Sequence, residues 1–316
     1  MTAFIIILSA GIILVILLYA IYRKAFYSPN KHQNDIYNIP TGEQYDPYRQ
    51  RMLDLIDDLN SRPFEEVQIL SFDGLMLYGR YYHYQDGVPL DVAFHGYRGT
   101  AIRDMCGGIW LSYAAKHNIL LVDQRAHGKS EGHTITFGIK ERKDCLAWVD
   151  YAKERFGDNV QILLYGVSMG AATVLMASSE ISEKNVRGII ADCPYSSPKE
   201  IIKKVCRDMK YPPKLVYPFI LLSAWVFGRF KLTEITAEEA VKTSSVPILI
   251  LHGEDDRFVP EEMSKNIADA RVGIERHTFP EAAHGISGIV DSERYNEIVL
   301  DFVERSFSAM SAGELC

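Results

Sequence analysis

The chain has 316 residues, 47% of them apolar, enough for one large α/β domain with a tail or two modest domains. A formal net charge of -7 with no basic stripe to track phosphates excludes nucleic acid as an expected partner. The five cysteines, Cys106, Cys145, Cys193, Cys206 and Cys316, are odd in number and lack C-x-x-C spacing, which argues for free thiols on a reducing side and against a zinc site.

Residues 3–22 carry no charge. At about 1.5 Å per helical residue they match a hydrocarbon core of about 30 Å, so a transmembrane anchor is expected over residues 1–27. A cleaved signal peptide is the competing reading, but Met1 and Thr2 give no basic start, the apolar core is long and no A-x-A site follows. Arg23, Lys24 and Lys31 follow the span and no Lys or Arg precedes it, which places the large C-terminal part in the cytoplasm. Tyr19, Tyr22, Phe26 and Tyr27 are expected to form an interfacial aromatic belt.

Residues 28–60 divide in two. The polar part to Pro47, with Pro29 and Pro40, reads as a spacer holding the domain off the bilayer. A helix is expected over 48–60, with Met52, Leu55, Ile56 and Leu59 on one face.

The remaining domain, 61–307, opens with strands over 65–72 and 75–84 around Asp73-Gly74, a hairpin signal. Strands are expected over 90–94, 118–122, 160–165, 186–191, 247–251 and 275–279. Helices are expected over 102–117, 139–156, 171–178 and 292–307. Such alternation implies an α/β fold, a mostly parallel sheet with helices on both faces, entered through an antiparallel hairpin. Residues 196–245 interrupt the rhythm with an amphipathic helix over 198–209 and an apolar run over 213–230. This run is read as part of a lid, with a helix buried on the sheet, contact with the membrane surface, and a second span, broken by Pro218 and Gly228, as the other readings. Residues 308–316 form a tail.

The stretch 160–170, VQILLYGVSMG, is an apolar strand that breaks into G-x-S-x-G and continues into a helix. A serine on such a turn is held in a strained conformation, and Gly166 and Gly170 let the flanking chains approach without Cβ atoms. The Ser168 hydroxyl then stands at the positive end of the following helix. A serine nucleophile needs a base to take its proton and a carboxylate to orient that base. The loop after the strand over 247–251 offers Glu254, Asp255 and Asp256, and Asp192 ends an earlier strand. His284 lies in a small-residue loop between the last strand and the last helix. An oxyanion would be met by the Met169 backbone N–H and by a second donor from the loop after the third strand.

Over about residues 65–307 these motifs, in this order, resemble the α/β-hydrolase superfamily, of the bacterial membrane-anchored esterase or serine-aminopeptidase type. His252-Gly253-Glu254-Asp255-Asp256-Arg257-Phe258-Val259-Pro260 is similar to the family's HG-x-x-D-x-x-V-P, which makes Asp256 the acid, with Asp255 and Asp192 as lesser candidates. The Glu281 to Ser287 loop resembles the family's histidine loop and makes His284 the base. His95-Gly96-Tyr97-Arg98-Gly99 resembles its H-G-x-x-G loop, so the Tyr97 amide is the second oxyanion donor and His95 is structural. Asp123-Gln124-Arg125-Ala126-His127-Gly128-Lys129-Ser130 resembles a bracing loop, with His127 and Ser130 outside the chemistry.

The resemblance implies a serine hydrolase that cleaves a carboxylic ester or thioester through an acyl-enzyme, on a small-molecule acyl ester substrate, without metal or organic cofactor. A serine aminopeptidase or oligopeptidase acting on small peptides is the alternative, followed by a non-catalytic membrane-tethered binding protein and an acyltransferase.

Overall fold

In the computed structural model, residues 1–29, 35–181 and 184–308 are described; Lys31, Cys316 and the tail after Ser308 lie outside them. Among the described residues eight strands form one sheet in the order β1-β2-β4-β3-β5-β6-β7-β8. β1 (Glu65–Leu70) and β2 (Met76–Tyr82) are antiparallel, and β2 also runs antiparallel to β4 (Asn118–Asp123). β3 (Leu90–Phe94), β4, β5 (Ile162–Val167), β6 (Val186–Asp192), β7 (Ile248–Gly253) and β8 (Glu275–Phe279) are mutually parallel. The hairpin turns at Gly74, whose φ of 83° only glycine adopts without strain.

The central strands are apolar on both faces because both are covered. Leu120 and Val122 join Trp148 and Cys145 of α5 (Glu141–Phe156) and the wholly buried α6 (Met169–Ala177). On the opposite face Ile119 and Leu121 pack with Ile56 and Leu59 of α2 (Arg49–Ser61) and with Ile102 and Met105 of α3 (Ala101–Met105). The helix expected over 102–117 is two pieces, α3 and α4 (Gly108–Ala114). Gly107 and Gly108, poor helix formers, sit at the break. α10 (Glu261–Asp269), between β7 and β8, was not anticipated; its buried Met263 and Ile267 are only two apolar anchors among acids. The short α9 (Ala237–Val241) and α11 (Ser287–Val290) were missed as well, while α12 (Ser292–Ser308) closes the fold.

The N-terminal helix α1 (Thr2–Ala25) is long and apolar enough to cross a membrane. Its end does not hang free. Leu18, Tyr22 and Phe26 are buried, a stripe at intervals of four residues on the face turned to the domain. Tyr22 and Thr134 share a hydrogen bond of 2.7 Å, the Phe26 carbonyl accepts from Ile135 N–H, and Ser28 N–H donates to the His133 carbonyl. Two of the expected belt aromatics, Tyr22 and Phe26, are therefore core residues. The described part of the expected spacer also lies on the domain: Ile39 is buried and Gln44 donates to the Asp255 carbonyl at 2.8 Å.

The 196–245 insertion supplies α7 (Pro198–Asp208), α8 (Pro213–Ser223), a π-type turn over Ala224–Gly228, and α9. α8 and the π-turn pack beside α1, where the Phe227 ring lies 5.3 Å from Tyr19 and 6.0 Å from Tyr22. Phe26 meets Phe230 at 5.3 Å.

Candidate active site

At the C-terminal end of β5 the chain turns into α6 through Ser168, whose φ of 56° and ψ of -113° lie outside the comfortable regions for an L-residue. The close packing of this turn requires its glycines. A Cβ on Gly170 would sit 1.9 Å from the Phe94 carbonyl oxygen, and one on Gly166 would sit 2.4 Å from the Gly170 backbone.

The structure brings Ser168, His284 and Asp256 together from three separate loops. The Ser168 hydroxyl lies 2.9 Å from His284 Nε2, and His284 Nδ1 lies 2.6 Å from Asp256 Oδ2. A carboxylate acceptor makes Nδ1 the protonated nitrogen and leaves Nε2 free to accept from the serine. Asp256 Oδ1 accepts from the N–H groups of Phe258 and Val259 at 2.8 and 2.7 Å, which is the physical content of the D-x-x-V spacing. His252 Nε2 donates to the Val259 carbonyl at 2.9 Å and lies 3.3 Å from Asp256 Oδ2.

These contacts set the charges. Burial works against an ionised Asp256, but His284 and His252 outweigh it and hold the carboxyl well below the usual range. Burial likewise opposes a charged His284, and Asp256 overcomes it, so the imidazole is raised above its ordinary value. The lesser acid candidates are placed elsewhere. Asp255 and Glu254 are exposed, and Glu254 accepts from Thr278. Asp192 accepts from the Tyr295 hydroxyl at 2.8 Å, and burial pushes its carboxyl up to about 6.

The 95–99 loop faces the serine. Gly96 N–H donates to Asp104 Oδ2 at 2.8 Å and Arg98 N–H donates to His127 Nε2 at 3.0 Å, so the amides on either side of Tyr97 are committed. His95 Nδ1 donates to the Gly96 carbonyl and its Nε2 accepts from Gln124 N–H, a structural pairing. His127 and Ser130 are likewise taken up by bracing, with Ser130 Oγ accepting from Tyr78 N–H. Arg125 makes paired contacts to Asp144 at 2.6 Å and to Asp73 at 3.0 Å, tying this loop to the β1-β2 turn. Asp104, held by Arg103 at 2.6 Å, is a positioning residue the sequence reading missed. Its signal would have been an acid in the helix following the loop.

The same loop grips α1. The Tyr97 hydroxyl donates to the Ala25 carbonyl at 3.0 Å, and Arg98 Nη2 donates to the Lys24 and Tyr27 carbonyls at 3.0 and 3.2 Å. A cation and a hydroxyl thus satisfy the orphan carbonyls at the negative end of the helix.

Two cavities meet at Ser168. One, of about 390 Å³, is bordered by Arg51, Arg103, Asp104, Asn296 and His284. The other, of about 670 Å³, is walled by apolar groups of α1, α7 and α8. Tyr97 and Phe258 border both, and the Phe258 ring stands 5.1 Å from His284. Cys193 Sγ comes within 4.8 Å of ligand atoms of Asp256 and His284. Burial raises that thiol far above its usual pKa, so it is a poor metal ligand, and the other two are bonded to each other.

Residues 92–223 match the alpha/beta hydrolase fold family. The structure is similar to an esterase of Pyrococcus furiosus, Pf2001, with a TM-score of 0.65 and 25% identity over 79% of this chain and 93% of that one. In sequence it is similar to protein YqkD of Bacillus subtilis, 23% identical over 59% of this chain and 62% of the relative. It is also similar to the lysophosphatidylserine lipase ABHD12 of Danio rerio, 26% identical over 59% of this chain and 48% of the relative. The match thus spans less than two thirds of either relative's length. The strand order and the strained serine turn between β5 and α6 are those of an alpha/beta hydrolase fold, the fold of the family matched over residues 92–223.

Proposed function

We propose that the protein is a membrane-anchored serine hydrolase that cleaves carboxylic esters or thioesters. The observation that carries this reading is the continuous hydrogen-bond path from Ser168 through His284 to Asp256. Ser168 Oγ attacks the carbonyl carbon while its proton passes to His284 Nε2, and Asp256 stabilises the resulting imidazolium. The tetrahedral oxyanion is met by the Met169 N–H, at the start of α6, and the Tyr97 N–H. Collapse breaks the bond to the alcohol or thiol, which takes the proton from His284. Water, deprotonated by the same imidazole, then releases the acid and restores the serine.

Support for an ester over a peptide comes from the apolar cavity at Ser168, which suits a hydrocarbon acyl group, and from the esterase and lipase among the relatives. The anchor is α1, and Arg23 and Lys24 at its end favour a cytoplasmic domain.

A fluorophosphonate probe tests the nucleophile: wild type should label and Ser168→Ala should not. Equal labelling of both would end the assignment. Turnover of aminoacyl-nitroanilides without any turnover of p-nitrophenyl esters would replace the esterase reading with the peptidase one.

A further inference from the structure

We propose that α1 is part of the substrate site as well as the anchor: it forms one wall of the cavity that receives the acyl chain of a bilayer lipid ester. The inference rests on the ester-hydrolase reading of Ser168 and adds the source of the substrate and the place of its chain.

The larger cavity begins at Ser168, Tyr97 and Phe258 and is bounded on one side by Leu17, Ala20, Ile21, Lys24 and Ala25. These positions recur at three- and four-residue steps, so they share one face of α1. That face is distinct from the Leu18, Tyr22, Phe26 stripe docked on the domain. From Ala25, held by Tyr97, to Leu17 the wall runs eight residues, or about 12 Å along the helix axis.

The facing wall is equally apolar. Ile201, Ile202 and Val205 of α7, and Leu215, Val216, Phe219 and Ile220 of α8, form much of it. Leu215 and Phe219 are 69% and 40% exposed, so the apolar lining continues outward between α8 and α1. Leu222, Trp225 and Val226 extend this exposed apolar surface. It lies beside a helix of membrane-spanning length, so a hydrocarbon chain can pass from the bilayer to the serine without crossing water. Arg51, Arg103, Asp104 and Asp192 border the other cavity, whereas Lys24 is the one charged group among the described residues lining the acyl cavity, and this leaves the former for the polar leaving group.

The test uses the full chain in phosphatidylcholine vesicles and an alkyl fluorophosphonate carrying a diazirine near the chain end. After labelling at Ser168 and irradiation, the second crosslink should map to the 17–25 segment of α1. Crosslinks confined to the polar cavity, near Arg51 or Asn296, overturn the proposal while leaving the serine-hydrolase reading intact. Failure of Ser168 to label takes both down. A second measurement fills the cavity with Ala20→Phe or Ile21→Trp and compares p-nitrophenyl laurate with butyrate. The laurate-to-butyrate ratio of kcat/KM should fall by roughly tenfold or more. An unchanged ratio in both variants overturns the proposal, and should either variant lose Ser168 labelling, the wild-type crosslink decides.

Discussion

The hydroxyl of Tyr97 donates to the carbonyl of Ala25 at 3.0 Å, so the loop that borders the serine is fastened to the last turn of the N-terminal helix. Tyr97→Phe removes this bond and keeps the stacking on Phe137, whose centroid is 5.1 Å away. The expected cost is about 1 kcal/mol of stability, and kcat should fall by up to about fivefold as the loop loses one fixing. Thermal melts and ester turnover matching the wild type would show that the tie contributes nothing.

Asp256→Asn should leave the shape of the site and remove the charge that orients and stabilises the imidazolium. The loss in kcat is expected to be about 10³- to 10⁴-fold with little change in KM. Steady-state kinetics on one soluble ester checks it, and a loss under tenfold would point to Asp192 as the working acid.

The pH profile follows from the same pair. The base must be neutral, so kcat/KM rises as His284 loses its proton. Asp256 outweighs burial and raises the pKa of that group, which places the rising limb above the ordinary imidazole value of about 6.5. Removing the carboxylate leaves the burial effect, so the limb in Asp256→Asn should move to lower pH; movement upward contradicts the assignment. For stability the sign is that of a depressed acid. The Asp256 contribution is present above about pH 4 and fades as pH falls towards the lowered folded value.

Gly170→Ala places a methyl group 1.9 Å from the Phe94 carbonyl, a backbone atom that cannot rotate away. The expected destabilisation is about 3 kcal/mol or more, read as a lower melting temperature or loss of folded protein. A melt within a degree of wild type would contradict the close approach of β3 and α6.

Arg125→Met strips a buried carboxylate, Asp144, of its paired partner. A loss of about 3 to 5 kcal/mol is expected, and Arg125→Met combined with Asp144→Leu should recover much of it. Denaturant melts of the two variants compare directly, and a double variant no better than the single one would show that the ion pair is not the cause.

The sequence was most legible where a residue type is demanded by local geometry. Ser168 stands on a turn that only two flanking glycines permit; Asp256 is singled out among the acids of its loop by the resemblance of residues 252–260 to a family motif, and its bonds to the amides of Phe258 and Val259 hold it in place. Contacts made across long sequence separations were hidden. Nothing in a run such as L-Y-A-I-Y-R-K-A-F says that Tyr22 and Phe26 will be buried against residues more than a hundred positions away, because membrane and core select the same apolar side chains. Asp104 was invisible for a similar reason: its role depends on where the 95–99 loop folds back. α10 escaped because its two buried residues, Met263 and Ile267, make too weak a periodic signal.

The stripe of Leu18, Tyr22 and Phe26 packs the end of α1 on the domain. A helix whose apolar length exceeds the local hydrocarbon thickness responds by tilting. With no slack at its end, α1 would swing the whole domain with it in a bilayer, and the Ser168 turn would change its angle to the lipid surface. On the anchor reading of α1, bilayer thickness would act as a mechanical input at the Ser168 turn.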